Sequence, residues 1–420
     1  MININSIYSI RRKLAECCLA ADYQGAIRLS GDLLNYYAGI RDSSSDNYGE
    51  DLFNIAFAYE NIGDFKKAIR LYTESSRSIM ESKGENADSF YRLMNIAVIY
   101  CKTGEYPVAI ELFNSIIDGL RRKKINDVNF KFLCYYNIGS AYCSLGQYQE
   151  GVESFKKARK HCKADDGSNY FDILYLLGIA HMGIGEYRKA SLFFTEASNV
   201  IRQAEPQNIS ELLNVLLSTS ESFEKMGEYT RSIEKLSEAL SLMESLLVKG
   251  NRTYTIIQMR MVSLYLKSDM HEKAIEICSE VSENTKKLVG ESSLQYANSL
   301  RDMALVCKEA KQYETGVECL KKCVEIKSLL LGSSNKESIK DKVALIALYV
   351  ETGELKQALD LLIQTIGIMD ESGEEYDEFM SKLAELYMSL GEYGNFHSVH
   401  ARALELNQPQ DQDYEDYEEF

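Results

Sequence analysis

Three stretches of the chain place large apolar, small and polar residues in the same order: "FNIAFAYENIGDFKKAIRLY" (Phe53–Tyr72), "MNIAVIYCKTGEYPVAIELF" (Met94–Phe113) and "YNIGSAYCSLGQYQEGVESF" (Tyr136–Phe155). Each turns on a glycine, Gly63, Gly104 or Gly146, called the pivot below. Equivalent pivots are Gly185, Gly227, Gly353 and Gly391. Asp269 and Lys311 keep the frame without glycine, and a degenerate unit centres on Ala21. The step between pivots is 38–42 residues over ten units, which identifies a repeat architecture.

Within a unit, a large residue followed by a small one precedes the pivot: Ile55-Ala56, Ile96-Ala97, Ile138-Gly139, Leu177-Gly178, Met303-Ala304 and Leu383-Ala384. A ring follows one turn before the pivot, as in Tyr59, Tyr100, Tyr142, Phe223, Tyr265, Tyr349 and Tyr387. Spacings of three and four put these side chains on one helical face. The pivot then allows the left-handed backbone that ends a helix. Acids follow it (Asp64, Glu105, Glu186, Glu228, Glu354, Glu392), where a second helix's amino end favours negative charge. Next come an aromatic and, three residues on, a small residue that lets two helices approach: Ala68, Ala109, Gly151, Ala190, Ala274, Gly316 and Ala358. Each unit therefore predicts two antiparallel helices, and with only three prolines the chain reads as all-α. The expected boundaries are a solenoid over residues 1–407 and a tail over 408–420.

This order, large-small, ring, glycine-acid-aromatic, small, resembles the tetratricopeptide repeat. Its period near 42 exceeds the usual ~34 by about one helical turn per helix. The longer form resembles the repeats of kinesin light chains and of many bacterial repeat proteins, most of all in the stretch from Leu288 to Gly332. A kinesin light chain also carries an amino-terminal coiled coil, whereas this chain opens directly on repeats, so a motor subunit is not expected. Phe396 departs from the pattern by occupying the small-residue slot of the last unit, which predicts a spread or capping pair.

The resemblance implies a right-handed superhelix of about ten helix pairs whose first helices line a concave groove. It also implies a function in binding proteins rather than in catalysis. Nine residues before the pivot stand Asn54, Asn95 and Asn137, where later units carry Leu176, Ser218, Arg260, Asp302, Ala344 and Lys382. In tetratricopeptide grooves an Asn at this slot commonly holds a peptide backbone, since its amide offers both acceptor and donors. That role is carried onto the three asparagines, with Phe53, Phe57, Tyr91, Met94, Tyr136, Tyr175, Ile179 and Met182 as apolar neighbours. No Lys-x-x-x-Asn pair marks a clamp for a chaperone's terminal carboxylate; Phe53 and Phe57 occupy those slots in the second unit. Two other readings are a bacterial peptide-sensing regulator, though without its DNA-binding domain, and an enzyme.

Charge narrows the partners. The 420-residue chain has 63 acidic against 47 basic residues, a formal net charge of −16. An acidic surface suits a neutral or basic protein or peptide and not nucleic acid; "RRKK" at Arg121–Lys124 reads as a solvated connector. No apolar run approaches the roughly 20 residues of a membrane span. The amino terminus lacks the apolar core of a secretory signal. Ten scattered cysteines include Cys278, Cys307 and Cys323 at inward positions, so free thiols in a reducing cytoplasm are expected.

Chemistry is sparse. There is no phosphate loop, GxSxG or HExxH, and neither a cofactor nor a metal is expected. His181 and His271 replace rings at repeat positions and read as packed side chains. His397 and His400 lack the further ligands of a zinc site. The tail "QPQDQDYEDYEEF" (Gln408–Phe420) is acidic and aromatic and is expected to be disordered. It reads as a solubilising end, as a ligand resembling the tubulin carboxy terminus, or as a segment that folds back toward Arg260, Arg301 or Lys308.

Overall fold

A computed structural model describes residues 4–40, 46–162, 167–204, 208–245, 252–368 and 374–406. The expected tail lies outside them. Among the described residues there are twenty helices and no strand, which makes the fold the all-α solenoid of helix pairs that the periodicity predicts. The helices fall into two compact units, Met1–Met226 and Gly227–Phe420.

The amino-terminal unit comprises α1 (Ile4–Leu19), α2 (Tyr23–Ile40), α3 (Asp46–Asn61), α4 (Phe65–Lys83), α5 (Ala87–Lys102), α6 (Tyr106–Arg122), α7 (Val128–Ser144), α8 (Tyr148–Arg159), α9 (Gly167–Ile184), α10 (Tyr187–Gln203) and α11 (Ile209–Lys225). The carboxy-terminal unit comprises α12 (Tyr229–Ser245), α13 (Arg252–Lys267), α14 (His271–Val289), α15 (Leu294–Glu309), α16 (Tyr313–Leu331), α17 (Lys336–Glu351), α18 (Leu355–Ile366), α19 (Glu374–Ser389) and α20 (Tyr393–Leu406). Within each unit, a helix packs on its sequence neighbours. In the amino-terminal unit the odd-numbered helices also touch one another, α1 on α3, α5 on α7, α7 on α9 and α9 on α11. That closer approach puts the odd helices on the inner side of the stack.

The pivots work as the sequence implies. Their φ values run from 75° to 87° at the seven glycines. Ala21, Asp269 and Lys311 adopt the same left-handed backbone, at 57–58°, without a glycine. At nine of the ten pivots the amide after the pivot donates back to the carbonyl five residues earlier, as from Asp64 to Tyr59 at 2.9 Å and from Gln312 to Cys307 at 2.8 Å. This bond closes the helix and holds the pivot even where a side chain opposes it. The acids after the pivot act mainly by charge. Asp64 accepts the Lys67 amide, but Glu105, Glu186 and Glu354 make no side-chain cap bond.

Nine residues after the pivot, eight repeats put a side chain in the core, and in the repeats of Gly146 and Gly185 that side chain faces the glycine before the pivot. In the amino-terminal unit the core side chains at this slot are Tyr72, Phe113, Phe155 and Phe194, all fully buried. A β-carbon on Gly139 would come within 2.5 Å of the Phe155 ring, and one on Gly178 within 2.4 Å of Phe194. The carboxy-terminal unit fills the same slot with Leu236, Cys278, Leu320 and Leu362. Its core also holds an ion pair, Lys327 Nζ to Asp341 Oδ2 at 2.6 Å, with both side chains buried. Phe396 is half-buried in the last helix and contacts His397.

Candidate functional site: an open groove on the inner helices

Three inner helices, α1, α3 and α5, enclose a groove of about 570 Å³. Its lining includes Phe53, Asn54, Phe57, Tyr91 and Asn95, five of the residues expected from the sequence. Ala15, Cys18 and Leu19 of α1 and Glu60 of α3 join them. The lining contains no lysine or arginine.

The groove wall is preassembled. Arg92 lies beneath Phe53, its guanidinium 5.2 Å from the ring centroid. It is fixed by Ser75 Oγ at 2.8 Å, the Asp88 carbonyl at 2.8 Å and Glu50 at 2.7 Å. Phe53 leans on Tyr72 and Tyr91, with centroids 5.5 and 6.1 Å away. Phe57 meets Tyr23 edge-on, and Tyr91 meets Phe130. Phe57 and Tyr91 nonetheless keep 36% and 46% of their surface exposed, so apolar area remains for a ligand to cover. Glu60 is neutralised by Lys102 at 2.6 Å and receives the Tyr72 hydroxyl at 2.9 Å. Arg11 and the Tyr37 hydroxyl converge on buried Asp51 at 2.8 and 2.6 Å, tying the first repeat to the second. Burial raises the Asp51 carboxyl, while both partners pull it down.

The asparagines divide. The side-chain amides of Asn54 and Asn95 are half-buried, line the groove and have no partner among the described residues. Asn137 instead donates its amide to the Leu133 carbonyl of its own helix at 2.8 Å, so part of its capacity is spent. Met94 corrects the sequence reading. It is 5% exposed and sits in the core with Phe90, Phe113 and Ile138 rather than in the groove. Tyr136, Tyr175, Ile179 and Met182 are half-buried further along the unit and do not line this groove. Tyr136 packs between Phe132 and Phe155, and burial pushes its phenol up. Tyr175 lies on Phe171 and Phe194, with its hydroxyl 3.4 Å from Ser218 Oγ. The Ser222 hydroxyl reaches Met182 Sδ at 3.1 Å.

Sequence reasoning misses the α1 contribution because its pivot, Ala21, lacks the glycine. Projecting the slots onto that frame finds it: Ala15 is equivalent to Phe57, and Cys18 to Glu60.

Elsewhere, His181 is a packed ring, 4% exposed and stacked on Phe193, with Nδ1 2.7 Å from Glu186. Burial lowers its pKa, against the pull of Glu186. His271 is only half-buried. Burial pushes the thiols of Cys134, Cys278 and Cys323 up to about 12 and Cys307 up to about 11. Arg122 and Lys123 pair with Glu85 at the surface. Arg301 lies within 4 Å of Asp302, Glu337 and Asp341. Among the described residues, no three His, Cys, Asp or Glu side chains are grouped to hold a metal, and no helix is long and apolar enough to cross a membrane.

Paired helices, left-handed pivots and an open inner face define a helical-repeat solenoid of the class that serves as a platform for other proteins. Residues 132–203 match the tetratricopeptide repeat family. Kinesin light chain-related protein 2 of Arabidopsis thaliana is 21% identical over 414 residues, covering 93% of this chain. Kinesin light chain-related protein 3 of the same plant is 24% identical over 64% of it. The chain spans 61% of the length of the first and 42% of the second. Among solved structures, the apo form of RapI superposes with a TM-score of 0.50 at 12% identity, covering 85% of this chain and 97% of that one. Residues 132–203 thus carry tetratricopeptide repeats, and the chain as a whole is similar to the long-repeat proteins related to kinesin light chains.

Proposed function

We propose that the protein is a non-catalytic scaffold or adaptor that binds a peptide, or an extended segment of a partner protein, in the groove of its amino-terminal unit. One observation carries this reading: two unpartnered side-chain amides, Asn54 and Asn95, one repeat apart, stand among exposed rings in a groove of about 570 Å³. An extended chain offers a donor and an acceptor at each residue and apolar side chains between them. Amides beside apolar surface are its complement. The fold supports the general role, since tetratricopeptide repeats are used to bind proteins. Overall acidity and the absence of cations from the lining favour a neutral or basic segment. Buried free thiols fit a reducing compartment, the cytoplasm.

The experiment is a binding measurement on the whole chain with a decapeptide array, followed by Asn54→Ala, Asn95→Ala and Phe57→Ala. Each asparagine change is expected to weaken bound peptides by about fivefold, the worth of one hydrogen bond of ~1 kcal/mol. Unchanged affinity in all three variants would remove the groove as the binding surface.

A further inference from the structure

The repeat of Gly146 departs from its neighbours on one flank. In the repeats of Gly63 and Gly185, a tyrosine fifteen residues before the pivot donates its hydroxyl to a glutamate eleven residues after it, Tyr48 to Glu74 and Tyr170 to Glu196. The start of the odd helix and the second half of the even helix meet at these two slots. In the repeat of Gly146 the same slots carry Lys131 and Lys157. Two cations thus stand where the neighbouring repeats place a hydroxyl and its carboxylate.

A pair of rings joins these lysines. Tyr135 follows Lys131 by one turn of α7, and His161 stands four residues after Lys157, just past the end of α8. Tyr135 and His161 stack, with centroids 5.9 Å apart and planes 3° from parallel. Lys157 Nζ lies 5.8 Å from the Tyr135 centroid. Both rings are half-buried, and both depart from the repeat. Leu52, Leu93, Leu174 and Leu216 hold the slot of Tyr135, while Ser78, Gly119, Val200 and Leu242 hold that of His161. Burial, with the charges of Lys131 and Lys160, keeps the His161 imidazole below its ordinary pKa.

The two lysines lack a counter-charge. Lys131 donates to the neutral Asn126 Oδ1 at 3.0 Å, and Glu153 is taken by Lys156 at 2.8 Å. Neither Lys131 nor Lys157 forms an ion pair among the described residues. From Arg121 to Cys162, nine lysines and arginines stand against Asp127, Glu150 and Glu153, in a chain of net charge −16. Lys163, Asp165 and Asp166, next in sequence, lie outside the described residues. Lys131, Tyr135, Lys157 and His161 take no part in the groove of α1, α3 and α5.

We propose that Lys131, Tyr135, Lys157 and His161 form a binding site for an acidic segment that carries aromatic rings, and that residues 408–420 of this chain are its occupant. Charge complementarity selects them. The segment has six acids, no base, and a ring at every third position: Tyr414, Tyr417 and Phe420. Its carboxylates complete the charge-assisted bonds that the two ammonium groups leave open, and its rings pack on the exposed parts of the Tyr135–His161 stack. A foreign polyanion must approach against the field of an acidic chain, whereas this segment is tethered to it. Arg301, where the sequence alone sends the segment, already lies within 4 Å of Asp302, Glu337 and Asp341.

The chain has no tryptophan, so Phe420→Trp installs a single emitter in the segment. Acrylamide quenching of that emitter in the whole chain reports docking. A docked population of about ten to one should lower the quenching constant several-fold against the free peptide of residues 408–420 carrying the same change. Roughly 1 M sodium chloride, where the Debye length falls to ~3 Å, should restore the peptide value. Lys157→Glu installs the residue found at Glu74 and Glu196, a choice the fold already accepts, and should release the tryptophan at low salt. Lys131→Gln and Tyr135→Leu should each release it in part without lowering the melting temperature. A tryptophan quenched as freely in the whole chain as in the peptide, at low salt, would overturn the proposal. So would release by Arg260→Gln or Lys308→Gln with none by Lys157→Glu.

Discussion

Gly178→Ala adds one methyl group where the structure leaves no room for it. A β-carbon there would lie 2.4, 2.6 and 2.8 Å from Cε1, Cδ1 and Cζ of Phe194. Carbon atoms pack at ~3.5–4.0 Å, so the ring must retreat by roughly 1 Å. Phe194 is fully buried and has little space to retreat into. Overpacking of this kind costs ~1–3 kcal/mol, against a gain of ~1 kcal/mol from replacing glycine inside a helix. The net expectation is a loss of up to about 2 kcal/mol, from the same two magnitudes. The carboxy-terminal unit indicates the rescue, since there Ala304 and Leu320 occupy these slots, each 1% exposed. Gly178→Ala with Phe194→Leu should therefore cost less than the sum of the single changes by at least ~1 kcal/mol, as neighbouring residues couple. Urea titrations of the four proteins, followed by circular dichroism, measure this coupling. Additive changes across the four proteins would refute the facing pair.

Other expectations concern the turns, the buried charges and the titrating groups. Lys311→Gly should stabilise the protein by about 1 kcal/mol, because a lysine held at φ 58° carries a left-handed penalty that glycine lacks; an unchanged melting temperature would contradict this. Lys327→Ala should cost ~3–5 kcal/mol by stranding the Asp341 carboxylate, whereas Lys327→Met with Asp341→Leu should be far milder. His181 has a lowered pKa when folded. The unfolded chain therefore takes up the proton first, and stability should fall as pH drops below ~6.5 toward the folded value. His181→Phe should remove that part of the fall in denaturation curves at pH 7 and 5.5. Iodoacetamide at pH 8 should leave Cys134, Cys278, Cys307 and Cys323 unlabelled in the native protein and label them after denaturation. Mass spectrometry of the peptides reports the result.

The repeat was legible because its rarest requirements are steric. A left-handed turn and a close helix approach restrict residue choice, so Gly63 or Ala68 recurs in kind. The apolar partner nine residues past the pivot was harder to read, since phenylalanine, tyrosine, leucine and cysteine all fill it. Nothing at Gly227 marks the division between the two units, because that turn carries the same residues as its neighbours. The groove was only half legible. Phe53 and Met94 share a slot, yet one lines the groove and the other lies in the core, a difference that sequence spacing does not register. Asn54, Asn95 and Asn137 are the same residue in the same slot, but only the first two keep their amides unengaged.

The account rests on the groove of α1, α3 and α5 receiving another polypeptide. Its most direct test is nuclear magnetic resonance of the whole chain, following the side-chain amide signals of Asn54 and Asn95 while the tightest decapeptide of the array is titrated in. Both signals should shift in saturable fashion and exchange more slowly with solvent, while the Asn137 signal moves less. Binding that leaves the Asn54 and Asn95 signals unmoved and shifts resonances on the even-numbered helices would contradict the account.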